Sequence, residues 1–387
     1  MTNASLADLA DDPDAVAHSR KLVRRIAADI ARCGGWIGFD RYMQLALYAP
    51  GLGYYAGGAT KFGGAGDFIT APELSSLFSQ TLAVQVAEVL ADTAGDVLEL
   101  GAGSGRMATD MLQALDANGA LPRRYVILEV SGALSARQKQ RVRDLPLRLA
   151  SRVEWIDRTP WAFRGVVVCN EVLDALPTHL IVWGEDGIYE RGIAWNGEAF
   201  VWEDRPLTDP RLSAQAKRLG LQASYVSEVS QAVPALVRTL AGVLETGVLL
   251  IVDYGFGERE YYHPQRNRGT LMCHFRHRTH GDPFFAPGLQ DITSHVDFTG
   301  VAQAATEAGL GLLGYVTQAQ FLINLGITDL IARTPAADAA TYLPLAAQAH
   351  KLLSPAEMGE LFKVIALGRG LDRALTGFRS GDLSRLL

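Results

Sequence analysis

Val97-Leu98-Glu99-Leu100-Gly101-Ala102-Gly103-Ser104-Gly105 is an apolar run with one acid near its end that opens into three alternating glycines. Such a run predicts a strand, because short apolar stretches bounded by glycine suit a buried sheet. The glycines let the main chain turn sharply and approach a ligand more closely than residues with a Cβ could. Helical spacing from Arg106 to Leu115 completes a strand-loop-helix unit that makes a nucleotide pocket. In a dinucleotide fingerprint the third glycine falls at position 106, where this chain has Arg106, too large for close helix-strand packing. The pattern therefore points away from NAD and toward S-adenosylmethionine (SAM).

Around this unit the elements alternate. Asp96 to Leu100, Tyr125 to Glu129, Arg152 to Ile156 and Gly165 to Cys169 read as short strands, with helical segments after the first two. A doubly wound α/β sheet follows. Ahead of it, Leu22, Ile26, Ile30 and Cys33 recur at helical spacing before Gly34-Gly35, and a second short helix spans Asp40 to Leu47. Thr70-Ala71-Pro72-Glu73 reads as a capping box, with Thr70 as cap and Glu73 reaching back. Between Pro177 and Glu203 the pattern changes to short aromatic and β-branched runs broken by Gly184-Glu185-Asp186-Gly187 and Asn196-Gly197, the signature of antiparallel hairpins. These shifts divide the chain into an N-terminal helical and glycine-rich extension over 1–90 and a core over 91–178 and 225–258. A β-rich insertion over 179–224, a lid or insertion over 259–297 and a C-terminal helical part with the final core strands over 298–387 complete it.

Composition narrows the function classes. With 387 residues, 48% of them hydrophobic, and a net charge of -6, the chain reads as a globular protein without the basic footprint that nucleic acid demands. No apolar run reaches membrane-spanning length. The sparse set Cys33, Cys169 and Cys273 lacks a CxxC pair and suits a reducing compartment, so a cytoplasmic location is expected. Four aspartates and no Lys or Arg in the first fifteen residues argue against a targeting presequence, and the expected start is near Met1.

The candidate cofactor residues follow from the sheet. Gly101, Gly103 and Gly105 form the loop, Glu129 ends the second strand where an acid can accept from ribose hydroxyls, Glu99 faces the aminoacyl end, and Asp157 ends the third strand where it could accept from an adenine amine. After the fourth strand, Asn170-Glu171-Val172-Leu173-Asp174 places an amide and two acids at the carboxyl edge beside the cofactor crevice. Paired carboxylates suit a guanidinium, because they bind its planar fork and counter its fixed charge. The alternative is that Glu171 and Asp174 only cap a turn. Glu228 and Asp253 are strand-associated acids that could line the same cavity. Cys273, His274, His277 and His280 lack the spacing of a zinc site and are interleaved with Arg276 and Arg278, so no metal is expected there; His277 is read as a substrate-orienting residue.

Taken together, Ala46 to Tyr55, Gly66 to Glu73, Glu99 to Gly105, Asn170 to Pro177, Asp253-Tyr254-Gly255, Gly269-Thr270-Leu271, Asp291-Ile292-Thr293 and His295 to Phe298 resemble the MidA-type methyltransferase family. Its mitochondrial members act in respiratory complex I assembly and are regarded as protein arginine methyltransferases. The resemblance implies a class I (Rossmann-like) methyltransferase fold with a final antiparallel strand, and SAM as cofactor. It also implies that the Asp67, Phe68 and Thr70 segment closes over the cofactor. Ser79-Gln80 stands where many family members have Gly-Glu. A protein arginine acceptor, with a respiratory-complex subunit as one candidate, is expected. A small-molecule acceptor and a SAM-binding assembly role without catalysis remain open at this point. A homodimer is a further expectation, with no sequence pattern behind it.

Overall fold

The computed structural model describes residues 12–57, 70–335, 337–371 and 373–387. Helix α1 (Pro13–Arg32) is capped by Asp12, whose side chain accepts from the Ala15 amide, and buries Leu22, Ile26 and Ile30 along one face. After strand β1 (Trp36–Gly38), helix α2 (Phe39–Tyr48) carries the chain to the edge of the central sheet. The expected capping box does not form. Thr70 precedes the short helix α3 (Ala71–Leu74) but makes no side-chain cap, since Glu171 takes the Ala71 amide at 3.3 Å and Glu73 accepts from Ser104. Ser75, extended at φ -156°, separates α3 from α4 (Ser76–Thr93) and caps α4 through the Leu77 amide.

Next come β2 (Asp96–Leu100), α5 (Arg106–Ala117), β3 (Tyr125–Leu128), α6 (Gly132–Arg143), β4 (Val153–Ile156) and β5 (Phe163–Asn170). The chain then leaves for four strands: β6 (His179–Trp183), β7 (Ile188–Trp195), β8 (Phe200–Pro206) and β9 (Tyr225–Val229). It returns in β10 (Leu244–Phe256). A small three-stranded sheet of β11 (Met272–Phe275), β12 (Arg278–His280) and β13 (Asp291–Thr293) follows, and β14 (Val296–Asp297) pairs with the end of β10. Strands β15 (Gly311–Thr317) and β16 (Phe362–Arg369) close the core.

The central sheet runs β15-β16-β10-β5-β2-β3-β4. β2, β3, β4, β5 and β10 are parallel, while β16 lies antiparallel between β10 and β15. This is the class I methyltransferase arrangement with its reversed final strand, as the resemblance implies. Helices cover both faces, which is why β5 and β10 are nearly continuous apolar runs rather than alternating ones. Gly165 and Gly247 permit the tight approach of β2, β5 and β10 where these strands enter the sheet. A Cβ on Gly165 would lie 2.1 Å from the Asp96 carbonyl, and one on Gly247 would lie 1.8 Å from the Gly165 carbonyl.

Because chain order reverses at β2, with β3 on one side and β5 on the other, the loops after β2 and β5 part and leave a crevice. The insertion after β5 forms a second, antiparallel sheet in which β6 lies between β7 and β9, and β1 joins β7. Residues 225–229, assigned to the core on sequence, belong to this second sheet. A run as short as Tyr225-Val226-Ser227-Glu228-Val229 has no periodicity that assigns it to one sheet, and the pairing with β6 decides.

Candidate active site

The crevice is a cavity of about 530 Å³ lined by residues from the N-terminal extension, the core and the 259–297 insertion. Its first half is built by the loop after β2. Gly101, Gly103 and Gly105 all take left-handed backbone conformations, at φ 62°, 53° and 82°, which residues with a Cβ reach only at a cost of about 1–2 kcal/mol each. Gly101 and Gly103 line the cavity. Gly105 lies behind them, where its lack of a side chain lets α5 start directly against Gln138.

Glu129 lines the cavity from the end of β3. The Ser131 amide donates to one oxygen at 2.8 Å and the Gln138 side chain to the other at 2.9 Å. Gln138 also donates to the Gly103 carbonyl at 3.1 Å and accepts from Trp155, so one buried amide locks the acid to the glycine loop. Glu99 sits deeper, almost wholly buried, and accepts from the Tyr125 hydroxyl at 2.6 Å. Burial pushes its carboxyl up to about 7 against the pull of that hydrogen bond, and the nearby Glu129 charge adds to the rise. Val130 is 76% exposed beside the cavity, an apolar surface open to a flat ring.

The second half is acidic and aromatic. Asn170, Glu171 and Asp174 all line it, as the sequence predicts. Glu171 has a left-handed φ of 51°, unusual for a residue with a long side chain, and this bend turns its carboxylate toward the Ala71 amide and the Asn170 side chain, which both donate to Oε1. Burial, with the charges of Asp174 and Asp291, pushes Glu171 up to about 8. Asp174 is raised to about 6, by burial above all, with a hydrogen bond from Tyr254 opposing the rise. The Asn170 and Asp174 Oδ1 atoms are buried and have no hydrogen-bond partner among the described residues. A buried acceptor without a donor costs about 1–3 kcal/mol, so both atoms call for a ligand that brings N–H or O–H groups.

Other expectations are corrected by the structure. Asp157 lies outside the cavity, with its side chain 85% exposed and 3.8 Å from Arg158, because β4 ends at Ile156 and the chain turns into solvent. Glu228 does not reach the cavity. It is buried in β9 and accepts from the Thr270 and Leu271 amides at 2.8–3.0 Å, anchoring the start of the 259–297 insertion. Asp253 likewise lies beneath the cavity, where one oxygen accepts from the Val172, Leu173 and Asp174 amides and holds the turn that carries the acids. His277 occupies the exposed turn between β11 and β12, away from the cavity; His274, earlier on the same hairpin, is the histidine that lines it. Thr70 lines the cavity, while Asp67 and Phe68 lie outside the described residues.

Sequence reasoning assigned no role to Tyr48, Tyr55, Tyr254, Asp291 or Thr293, all of which line the cavity. Each falls within a stretch that carries the family resemblance, and that was their only signal in the sequence. Tyr48 and Tyr55 stack with ring centroids 5.5 Å apart, and the Tyr48 hydroxyl donates to the Ala175 carbonyl at 2.9 Å. His274 is pushed down to about 4 by burial and by His280, so at neutral pH it brings no positive charge. Elsewhere, Asp40, His179 and Glu190 are close enough to share an ion, but His179 Nδ1 already lies 2.8 Å from Glu190, and against the lowering effect of burial that hydrogen bond and the two acids raise the imidazole.

Comparison with known proteins bears on this geometry. Residues 81–316 match the family model described as "Putative S-adenosyl-L-methionine-dependent methyltransferase". Over 90% of this chain and 87% of its own length, the Danio rerio protein arginine methyltransferase NDUFAF7, mitochondrial, is 28% identical. The Caenorhabditis elegans homolog of that protein is also 28% identical, over 80% of this chain and 78% of its own. A Burkholderia thailandensis protein crystallised with S-adenosyl-homocysteine superposes with a TM-score of 0.94 at 50% identity, covering 97% of this chain and 98% of that one.

Proposed function

We propose, on the premise that this chain belongs to the family of S-adenosyl-L-methionine-dependent methyltransferases, that its acceptor is a guanidinium nitrogen of arginine in a protein. The observation that carries the proposal is the convergence of Glu171 and Asp174 on the cavity that the glycine loop and Glu129 also line, with the buried Oδ1 of Asp174 lacking a partner among the described residues. The names of the relatives from Danio rerio and Caenorhabditis elegans support the same acceptor.

SAM supplies an electrophilic methyl carbon, and the left-handed glycine loop, Glu129 and the open surface of Val130 fit a nucleoside there. This chain's residues do the rest. Glu171 and Asp174 bind the guanidinium fork and fix the direction in which its nitrogen points. Positioning of this kind can be worth about 7–11 kcal/mol through effective molarity. A guanidinium stays charged in water at any physiological pH, so the methylated nitrogen must shed a proton. Glu171 is raised to about 8 in the ligand-free cavity, and an adjoining guanidinium favours its ionised form, which then accepts that proton. Burial also strengthens the attraction between carboxylate and guanidinium.

A respiratory-complex subunit is the finer form of the acceptor, implied by the MidA-type resemblance, and the reducing cytoplasm is the compartment in keeping with three free thiols, two of them buried. The test is incubation of the purified chain with tritiated SAM and cell extract, followed by acid hydrolysis of labelled protein. Label recovered as methylarginine is expected. Label confined to small metabolites or to another amino acid would overturn the acceptor assignment.

A further inference from the structure

We infer that Asp291, gripped by Tyr55, forms the opposite wall of the acceptor subsite, so that a planar cation is clamped between the Glu171-Asp174 turn and the 259–297 insertion. This inference rests on the arginine reading and deepens it. Asp291 lies in β13, directly across from His274 in β11, and both side chains line the cavity. The Tyr55 hydroxyl lies 2.9 and 3.0 Å from the two Asp291 oxygens, and the Ile292 amide donates to Oδ1 at 2.9 Å. The carboxylate is thus fixed in direction by a residue 236 positions away in the chain.

Two backbone contacts hold the insertion and the N-terminal extension to the acid-bearing turn. The Ser294 amide donates to the Asp174 carbonyl at 3.0 Å, and the Tyr48 hydroxyl donates to the next carbonyl, that of Ala175. Tyr48 in turn stacks on Tyr55. Acids from β13 and from the turn after β5 are therefore held in register across one cavity rather than brought together by loose loops.

Ligand chemistry follows from the character of the two walls. Asp174 Oδ1 and Asn170 Oδ1, buried and without a hydrogen-bond partner among the described residues, need donors on one side, and Asp291 places a carboxylate held by Tyr55 on the other. A guanidinium spreads five N–H groups around a rigid plane and can satisfy acceptors on two sides at once. An ammonium concentrates its donors at one point and cannot bridge two walls with the same geometry. Glu171 is raised by burial above all, with the charges of Asp174 and Asp291 adding to the rise, and a cation between the walls would relieve the part that those charges contribute.

The full chain saturated with S-adenosyl-homocysteine is titrated calorimetrically with propylguanidinium, and separately with butylammonium, at millimolar concentrations. Wild type should bind the guanidinium about tenfold more tightly than the ammonium, as expected for forked over point-charge recognition. Asp291→Asn should weaken the guanidinium about tenfold and erase the preference, and Tyr55→Phe should weaken it severalfold, both with unchanged affinity for S-adenosyl-homocysteine. If Asp291→Asn binds propylguanidinium as wild type does while Glu171→Gln does not, the acceptor site stands and Asp291 has no part in it. If wild type binds no propylguanidinium, the arginine reading falls and this inference with it. Should Asp291→Asn lose S-adenosyl-homocysteine through misfolding, Tyr55→Phe decides, and binding equal to wild type would refute the clamp.

Discussion

Glu171→Gln should make the protein more stable at alkaline pH, because the wild-type carboxylate is held where ionisation is costly. The Glu171 carboxyl rises from 4.5 to about 8 on folding. At about 1.36 kcal/mol per pH unit this corresponds to roughly 4–5 kcal/mol, which the water admitted by the open cavity reduces to about 2–4 kcal/mol. The sign follows from proton binding: between the two pKa values the unfolded chain is ionised and the folded one is not, so stability falls as pH rises from about 4.5 and levels off above about 8. Glutamine cannot ionise, and its carbonyl oxygen can still accept from the Ala71 amide and the Asn170 side chain. For a chain of this length about 1 kcal/mol shifts the melting temperature by roughly 1 °C. Thermal unfolding of the ligand-free proteins at intervals from pH 4.5 to pH 9 should therefore give a variant-minus-wild-type difference near zero at the acid end and about 2–4 °C at the alkaline end. A difference independent of pH, or a variant less stable than wild type at pH 9, would refute the claim that Glu171 is a strained acid kept for function.

Three further outcomes follow from the same geometry. Gly103→Val places a branched side chain on a backbone held at φ 53° within the cavity wall, and should weaken S-adenosyl-homocysteine binding by about tenfold or more in calorimetry; wild-type affinity would mean the loop is misassigned. Glu129→Ala removes a carboxylate that the Gln138 and Ser131 donors orient toward the cavity, and should cost about 1.5–3 kcal/mol, or roughly 10- to 100-fold, in the same titration. Gly165→Ala would drive a Cβ to 2.1 Å from the Asp96 carbonyl, so chemical denaturation should report a loss of about 3 kcal/mol or more, and an unchanged midpoint would contradict the tight approach of β2 and β5.

The cofactor half of the site was legible because its signals are local. Gly101 to Gly105 and Glu129 occupy consecutive βα units, and the spacing of such units is set by strand and helix lengths alone. The acids after β5 were legible for the same reason, since a parallel strand in an open sheet delivers its end to the crevice. What failed depended on pairing. His277 was chosen over His274 although the two are three positions apart, and an odd step along a strand already reverses the face; the turn at Arg276 and His277 then points into solvent. Asp157 follows the end of its strand just as Glu129 does and Glu228 is the last residue but one of β9, yet Glu228 is consumed by the amides of residues 270 and 271 and Asp157 extends past its sheet. Nothing along the chain tells these three fates apart. Tyr55 and Asp291 meet only through the folding of the insertion over the core, a contact for which local spacing has no expression.

The most direct test of the account compares wild type with Glu171→Gln in two measurements on the same preparations: the SAM dissociation constant by equilibrium dialysis, and tritium transfer from SAM to protein arginine in extract. The account predicts dissociation constants within about threefold and a transfer rate lower by about 100-fold or more in the variant, as for the loss of a positioned acid-base group. Transfer at the wild-type rate would contradict it, and a parallel collapse of SAM binding would move Glu171 from the acceptor to the cofactor.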